Sequence, residues 1–279
     1  MNNDRKRSAF WLRCRPTEEF DIVKLHPRTL AKTSRFETVE DAKNENAIRI
    51  GMHARSSLST TLAECLSGHY DCEFPSCAIC ARRFRRWFIG QALQLNSALR
   101  GPSFVITVLL DQLSNNEVPS LDPQSCSGAI RKLIQRNGLD GAVVIGGFEL
   151  AYRAESGSWV FHCHLAVFGA KPAQVRRFQR ATKAASELDR VAKMTDLRDP
   201  TKQLSYILKF TTYHRPTDRR GTQRAPAVRL NPREHLVLLE WFHQHKFSDF
   251  VFLFNARRRG AAVEPNYIRL SRPNFGSKE

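Results

Sequence analysis

Two runs rich in β-branched and aromatic residues, Ala142 to Tyr152 and Trp159 to Phe168, flank a short polar stretch, Arg153 to Ser158, that contains Gly157. A connection this short cannot return a strand in parallel, so the pair commits the chain to an antiparallel hairpin. The second run holds His162 and His164 two residues apart; both imidazoles therefore point to one face, while Cys163 points to the other with Phe161 and Leu165. A turn centred between Glu155 and Ser156 sets Glu149 opposite His162, and one centred between Ser156 and Gly157 sets it opposite His164. In both registers Glu149 shares the histidine face, whereas a central turn residue would change the parity and separate them. Two imidazoles and a carboxylate suit a divalent ion with open positions, which polarises a phosphodiester as a Lewis acid. The other close pair, His243 and His245, falls at a helix end, where positions two apart diverge by about 200°.

Around this hairpin the periodicities predict helices over Ala81 to Arg100, Asp122 to Asn137 (capped by Asp122), Lys171 to Met194, Asp199 to Tyr213 and Pro232 to His245. Strands are expected at Phe104 to Leu110, Asp249 to Asn255 and Tyr267 to Leu270. The order is that of an α+β fold, an antiparallel sheet covered by helices mainly on one face. The division expected is an N-terminal arm or lobe over residues 1–60, a cysteine-bearing element with a basic helix over 61–100, and a main domain with a C-terminal extension over 101–279.

Lys and Arg total 44 against 27 Asp and Glu, a formal net charge of +17 spread along the chain. A field of that sign attracts phosphate polyanions and releases counterions on binding, which makes nucleic acid the expected partner; an anionic membrane surface or an acidic protein is the bland alternative. The longest apolar runs, such as Phe104 to Leu110, fall far short of the roughly 18 to 20 residues of a membrane span. Met1 to Arg7 is polar and basic with no apolar segment after it, so a cytoplasmic location is expected.

Seven cysteines, an odd number, argue against a disulfide framework, and Cys72, Cys77 and Cys80 fall within nine residues. Cys77-x-x-Cys80 turns two thiolates toward one ion, Cys72 is the best third ligand, and the fourth is His69 or, as the alternative, Cys65. A structural zinc site is expected. The helix that follows opens with Arg82, Arg83, Phe84, Arg85, Arg86 and Trp87, a surface suited to gripping phosphates while Trp87 stacks on a base or packs inward. An Arg-rich first turn opposes the helix dipole, so helix stability does not explain it.

In the segment Asp199 to Tyr213 a helical period puts Leu204, Ile207, Leu208 and Thr211 on one face and Lys202, Tyr206, Lys209 and Tyr213 on the other. Tyr206 and Lys209 become neighbours, and a tyrosine beside a cation is a usable nucleophile.

Phe161-His162-Cys163-His164-Leu165 resembles the histidine–hydrophobic–histidine motif of HUH endonucleases, and Tyr206-Ile207-Leu208-Lys209 resembles their later Tyr-x-x-Lys motif. Cys72, Cys77 and Cys80 followed by arginines are similar to the cysteine cluster before the nuclease core of plasmid rolling-circle replication initiators. The resemblance covers about residues 69 to 213 and rests on the order of short motifs. It implies a five-stranded antiparallel sheet with helices, His162, His164 and Glu149 holding Mg2+ or Mn2+, Tyr206 as nucleophile and Lys209 as a phosphate-positioning cation. The implied activity is site-specific nicking and rejoining of single-stranded or melted origin DNA through a 5′-phosphotyrosine, with a host helicase and polymerase as further partners. A transposase of the same chemistry and a non-catalytic zinc-containing DNA-binding regulator are the rival readings. Cys163 is unusual at the hydrophobic position, and Tyr213, seven residues after Tyr206, is too distant to match the family's two-tyrosine members.

Overall fold

The fold is that of a computed structural model, described for residues 38–54, 56–68, 71–184, 192–214, 216, 226–260 and 262–266. Two helices, α1 (Val39–Met52) and α2 (Ser57–Leu66), lead into the long α3 (Ala78–Ala98). Then come β1 (Ser103–Leu113), α4 (Ser127–Arg136), the hairpin β2 (Val143–Arg153) and β3 (Ser158–Phe168), α5 (Pro172–Ala184) and β4 (Ala192–Asp196). The short α6 (Pro200–Leu204), the pair β5 (Tyr213–His214) and β6 (Val228–Arg229), α7 (Pro232–Gln244), β7 (Val251–Phe254) and the pair β8 (Ala256–Arg259) and β9 (Ala262–Pro265) complete it.

The class is α+β, around a five-stranded sheet in the order β4-β1-β3-β2-β7 whose neighbours are all antiparallel. The hairpin supplies its centre, and the observed register pairs Glu149 with His162, the first of the two turn centrings. Phe148, Phe161, Cys163 and Phe252 lie on the face opposite the histidines, and α4 crosses that face, with the Arg131 guanidinium 5.1 Å from the Phe252 ring centroid. Among the described residues no helix is long and apolar enough to cross a membrane.

Several expected boundaries shift, each for a local reason. The limit drawn at residue 60 falls inside α2, and one continuous apolar core joins Ala42 and Leu62 to the sheet, so the described part of the N-terminal arm shares the main domain's core. Periodicity missed α1 because its buried face is polar: Glu45, Asn46 and Arg49 are all inside. Glu45 accepts from Arg229 at 2.7 and 2.8 Å and from Thr212 at 3.0 Å, which satisfies a carboxylate that a hydrophobic pattern cannot register. Asp122 does not cap a helix; it accepts from Gln124 N in a turn, and α4 begins five residues later at Ser127. The helix expected over Lys171 to Met194 ends at Ala184, and Ala192–Asp196 is an edge strand against β1. Arg257 to Arg259 lie in a two-stranded ribbon, while the strand expected at Tyr267 to Leu270 lies outside the described residues.

Candidate metal centres and the tyrosine turn

His162 and His164 each place Nε2 3.7 Å from Glu149 Oε2. Their orientations are fixed from behind. His162 Nδ1 donates to the Val160 carbonyl at 3.2 Å, and His164 Nδ1 lies 2.8 Å from the Thr107 hydroxyl on β1. The Val160 carbonyl fixes the His162 proton on Nδ1 and turns its Nε2 lone pair toward Glu149, and the Thr107 hydroxyl, able to donate or accept, permits the same tautomer in His164, the arrangement by which outer partners orient metal-binding imidazoles. His164 Nε2 is buried and has no hydrogen-bond partner among the described residues, which is costly unless something else takes it. An octahedral ion with bonds of about 2.1 Å needs neighbouring donors about 3.0 Å apart, so each contact must close by about 0.7 Å, within the reach of side-chain torsions. The donor set, one carboxylate and two imidazoles, therefore fits a divalent ion.

The charges agree with that chemistry. Burial works against ionising Glu149, yet the Lys209 ammonium, 3.6 Å away, and the two imidazoles hold it well below the usual carboxylate range. Burial pushes His164 down to about 3, against the pull of Glu149 and helped by His162 and Lys209, so its imidazole is neutral at pH 7 and available as a donor.

Tyr206 departs from expectation in a way that matters. The helix capped by Asp199 ends at Leu204, so Tyr206 lies in the turn beyond it and not on the surface of a continuous helix. Leu208 and Phe210 both take positive φ, 57° and 47°. Such conformations cost side-chain-bearing residues on the order of 1 to 3 kcal/mol each, and packing offsets the cost. Leu208 is wholly buried over Gly147 of β2, and Phe210 meets Phe84, Phe242, Phe247 and Phe250. The turn still joins Tyr206 to Lys209, because the ammonium lies 5.2 Å from the tyrosine ring centroid. Lys209 N also donates to Glu149 Oε1 at 3.3 Å. Tyr213 is elsewhere: its hydroxyl donates to Glu45 at 3.3 Å, with Arg229 against its ring.

The second cluster consists of Cys65, Cys72, Cys77 and Cys80, all buried, with Sγ atoms within 4.8 Å of one another. Sulfur separations of 3.5 Å (Cys65–Cys77) and 3.7 Å (Cys65–Cys80 and Cys72–Cys80) fall just short of the edge of about 3.8 Å in a tetrahedron with Zn–S bonds near 2.3 Å. Cys65 thus stands where a fourth ligand belongs; His69, the other expected candidate, lies outside the described residues. Asn46 donates to Cys77 Sγ at 3.1 Å and accepts from Ala78 N at 2.8 Å, tying α1 to the knuckle.

The basic helix is corrected in part. Arg85 and Trp87 are buried, 1% and 5% exposed, and so do not form a DNA-gripping surface. Arg85 donates to the Ser205 carbonyl, the residue before Tyr206, and Trp87 packs against Phe84 with the Arg258 guanidinium 5.8 Å from its ring centroid. Arg83 is exposed and paired with Asp71, while Arg82 and Arg86 are half-buried. In the other close histidine pair, His243 bonds Ser76 at 3.2 Å and His245 approaches Asp249, so the two do not converge. Thr107 and Gly147 support the site without having been expected there, and Arg85 does so in place of the phosphate contact expected of it; of the first two only Gly147, a glycine inside a buried strand, carried a signal in the sequence.

The chain matches no family model, no curated protein and no solved structure.

Proposed function

We propose that this protein is an HUH-type single-strand DNA endonuclease and strand transferase that initiates rolling-circle replication. The observation that carries the proposal is the meeting of Glu149, His162 and His164 on one sheet face, with Lys209 linking that group to Tyr206. Glu149, His162 and His164 would hold a divalent ion, Mn2+ or Mg2+, which would supply Lewis-acid polarisation of the scissile phosphate. Glu149 stays ionised and His164 neutral at working pH, as holding a cation requires. The Tyr206 oxygen attacks phosphorus, a P–O bond to tyrosine forms, and the bond to the 3′ oxygen breaks. The phenolic proton leaves to water, the departing oxygen gains one as a free 3′-hydroxyl, and a 5′-phosphotyrosine remains. Lys209, on the same side as Tyr206, balances negative charge at the phosphate. Rejoining is the same exchange reversed. Zinc held by the four cysteines would have a structural part, fixing α2 to the start of α3.

The test is covalent capture. Wild-type protein incubated with labelled single-stranded DNA and Mn2+ should carry label through denaturation, and Tyr206→Phe should not, while Tyr213→Phe should. Capture by Tyr206→Phe and not by Tyr213→Phe would reassign the nucleophile. No capture by wild type across single strands that it binds would favour a non-catalytic DNA-binding protein.

A further inference from the structure

The sheet face that bears the histidines is closed at one end of its central row and open at the other. Lys193, Thr107, His164, Gly147 and Val251 are successive cross-strand partners on β4, β1, β3, β2 and β7. Cross-strand partners project to the same side, and the contact between Thr107 and His164 Nδ1 identifies that side as the one with the metal group. At Gly147 the row is roofed by Leu208 and Ile207, so close that a Cβ there would lie 2.3 Å from Leu208 Cδ2. In the other direction exposure rises: His164 and Thr107 are half-buried and Lys193 is exposed. The next residue, Met194, turns to the opposite face and packs on the core. Among the described residues Lys193 makes no ion pair, in contrast to Lys209, which faces Glu149.

We infer that Lys193 is a second phosphate-holding residue of this site, and that the bound single strand passes from the metal group across β1 toward the β4 edge. The inference rests on the nuclease reading and extends it to the path of the substrate. Strands lie about 4.8 Å apart, so the Lys193 and His164 backbones are about 10 Å apart, which suits a phosphate flanking the scissile one and not the scissile phosphate itself. An exposed ammonium is a compact charge able to meet either non-bridging phosphate oxygen. The competing account is edge protection, since a lysine on an edge strand also discourages pairing between copies.

The two accounts separate in one set of measurements on the full chain with Mn2+. The probe is a labelled mixed-sequence single strand; the variants are Lys193→Gln, Lys193→Arg and, as a control on the helix crossing the opposite face, Lys132→Gln. Loss of one phosphate contact should reduce the slope of log affinity against log salt by about 0.7 in Lys193→Gln, with Lys193→Arg near wild type and Lys132→Gln unchanged. Half-maximal covalent capture by Lys193→Gln should need several-fold more DNA, with the capture rate at saturation within about twofold of wild type. An unchanged slope, with or without increased light scattering from aggregates, overturns the inference and leaves edge protection. If Lys193 alters the slope but wild type never forms the adduct, the nuclease reading fails and the phosphate site stands. If wild type forms the adduct and Lys193→Gln keeps the wild-type slope, only the inference fails.

Discussion

Gly147→Ala tests whether the Tyr206–Lys209 turn is held by its fit against the sheet. The added Cβ would stand 2.3 Å from Leu208 Cδ2, 2.5 Å from Leu208 Cγ and 3.4 Å from Ile207 Cγ2. Leu208 has no room to yield, because it is wholly buried and its backbone already sits at φ 57°. Overpacking of this kind costs about 1 to 3 kcal/mol, or roughly 2 to 12 °C of Tm in a domain of this size. The displaced segment also carries Lys209, whose N and Nζ meet Glu149, so covalent capture should fall by more than the lost folded fraction explains. Leu208→Ala alone should cost about 2 to 5 kcal/mol as a core truncation. The double variant should be at least about 1 kcal/mol more stable than the sum of the two singles, since the new methyl fills space the leucine vacates. At Gly146 the same rescue fails, because the obstacle is the His164 carbonyl oxygen at 2.2 Å, backbone that no side-chain truncation removes. Thermal unfolding with capture kinetics measures all four proteins. An unshifted Tm in Gly147→Ala, or strict additivity in the double variant, would refute the reasoning.

Metal analysis should find about one zinc per chain that survives dialysis, lost in Cys65→Ser or Cys77→Ser with a lower Tm and retained in His69→Ala; retention by Cys65→Ser would return the fourth position to His69. His162→Ala and His164→Ala should abolish capture while single-strand affinity stays within about twofold, and His243→Ala should capture normally because His243 bonds Ser76 away from the site. Burial would raise Glu45, but Arg49, Arg229 and Thr212 hold it down to about 2, below its ordinary 4.5. A depressed carboxylate stabilises fully above the unfolded value and loses that contribution as pH falls from about 4.5 to about 2, on the order of 3 kcal/mol. Urea denaturation at pH 5 and pH 3 should show the larger part of this loss, about 2 kcal/mol, in wild type and much less in Glu45→Gln.

The parts of the site legible in the sequence are those fixed by parity. A strand's side chains alternate with period two, so His162 and His164 had to share a face, and the short turn carried Glu149 to them. The cysteine knuckle was legible because ligand spacing is a covalent constraint; Cys65, on the preceding helix, was legible only as an alternative to His69, because spacing does not say how that helix folds back on the knuckle. The tyrosine turn was not legible. Leu204, Ile207 and Leu208 have helical spacing, and the same three residues serve a helix that stops at Leu204 and folds Leu208 down onto Gly147 with positive φ. Only the glycine in the middle of a buried strand hinted at a close approach, and it did not say from where. Helix α1 was illegible for another reason: a buried face of Glu45, Asn46 and Arg49 reads as solvent-facing until Arg229 and Cys77 arrive from far along the chain.

Arg85 gives the basic helix a different meaning from the one its composition suggested. It sits on the helix that begins at the cysteine knuckle, five residues after Cys80, and its guanidinium holds the Ser205 carbonyl immediately before Tyr206. The far end of the same segment is held by Thr212 and Tyr213, both of which donate to Glu45 on α1, itself tied to the knuckle through Asn46 and Cys77. Between these anchors, Leu208 and Lys209 fasten the turn to β2. The cysteine cluster therefore bears on the tyrosine through two routes, α3 to Ser205 and α1 to Thr212, although its sulfurs are not part of the histidine group. Loosening the cluster should misplace Tyr206 without altering Glu149, His162 or His164. That physical coupling accounts for a buried arginine at position 85, two turns into a helix that begins at Ala78 and so beyond the reach of the first-turn dipole.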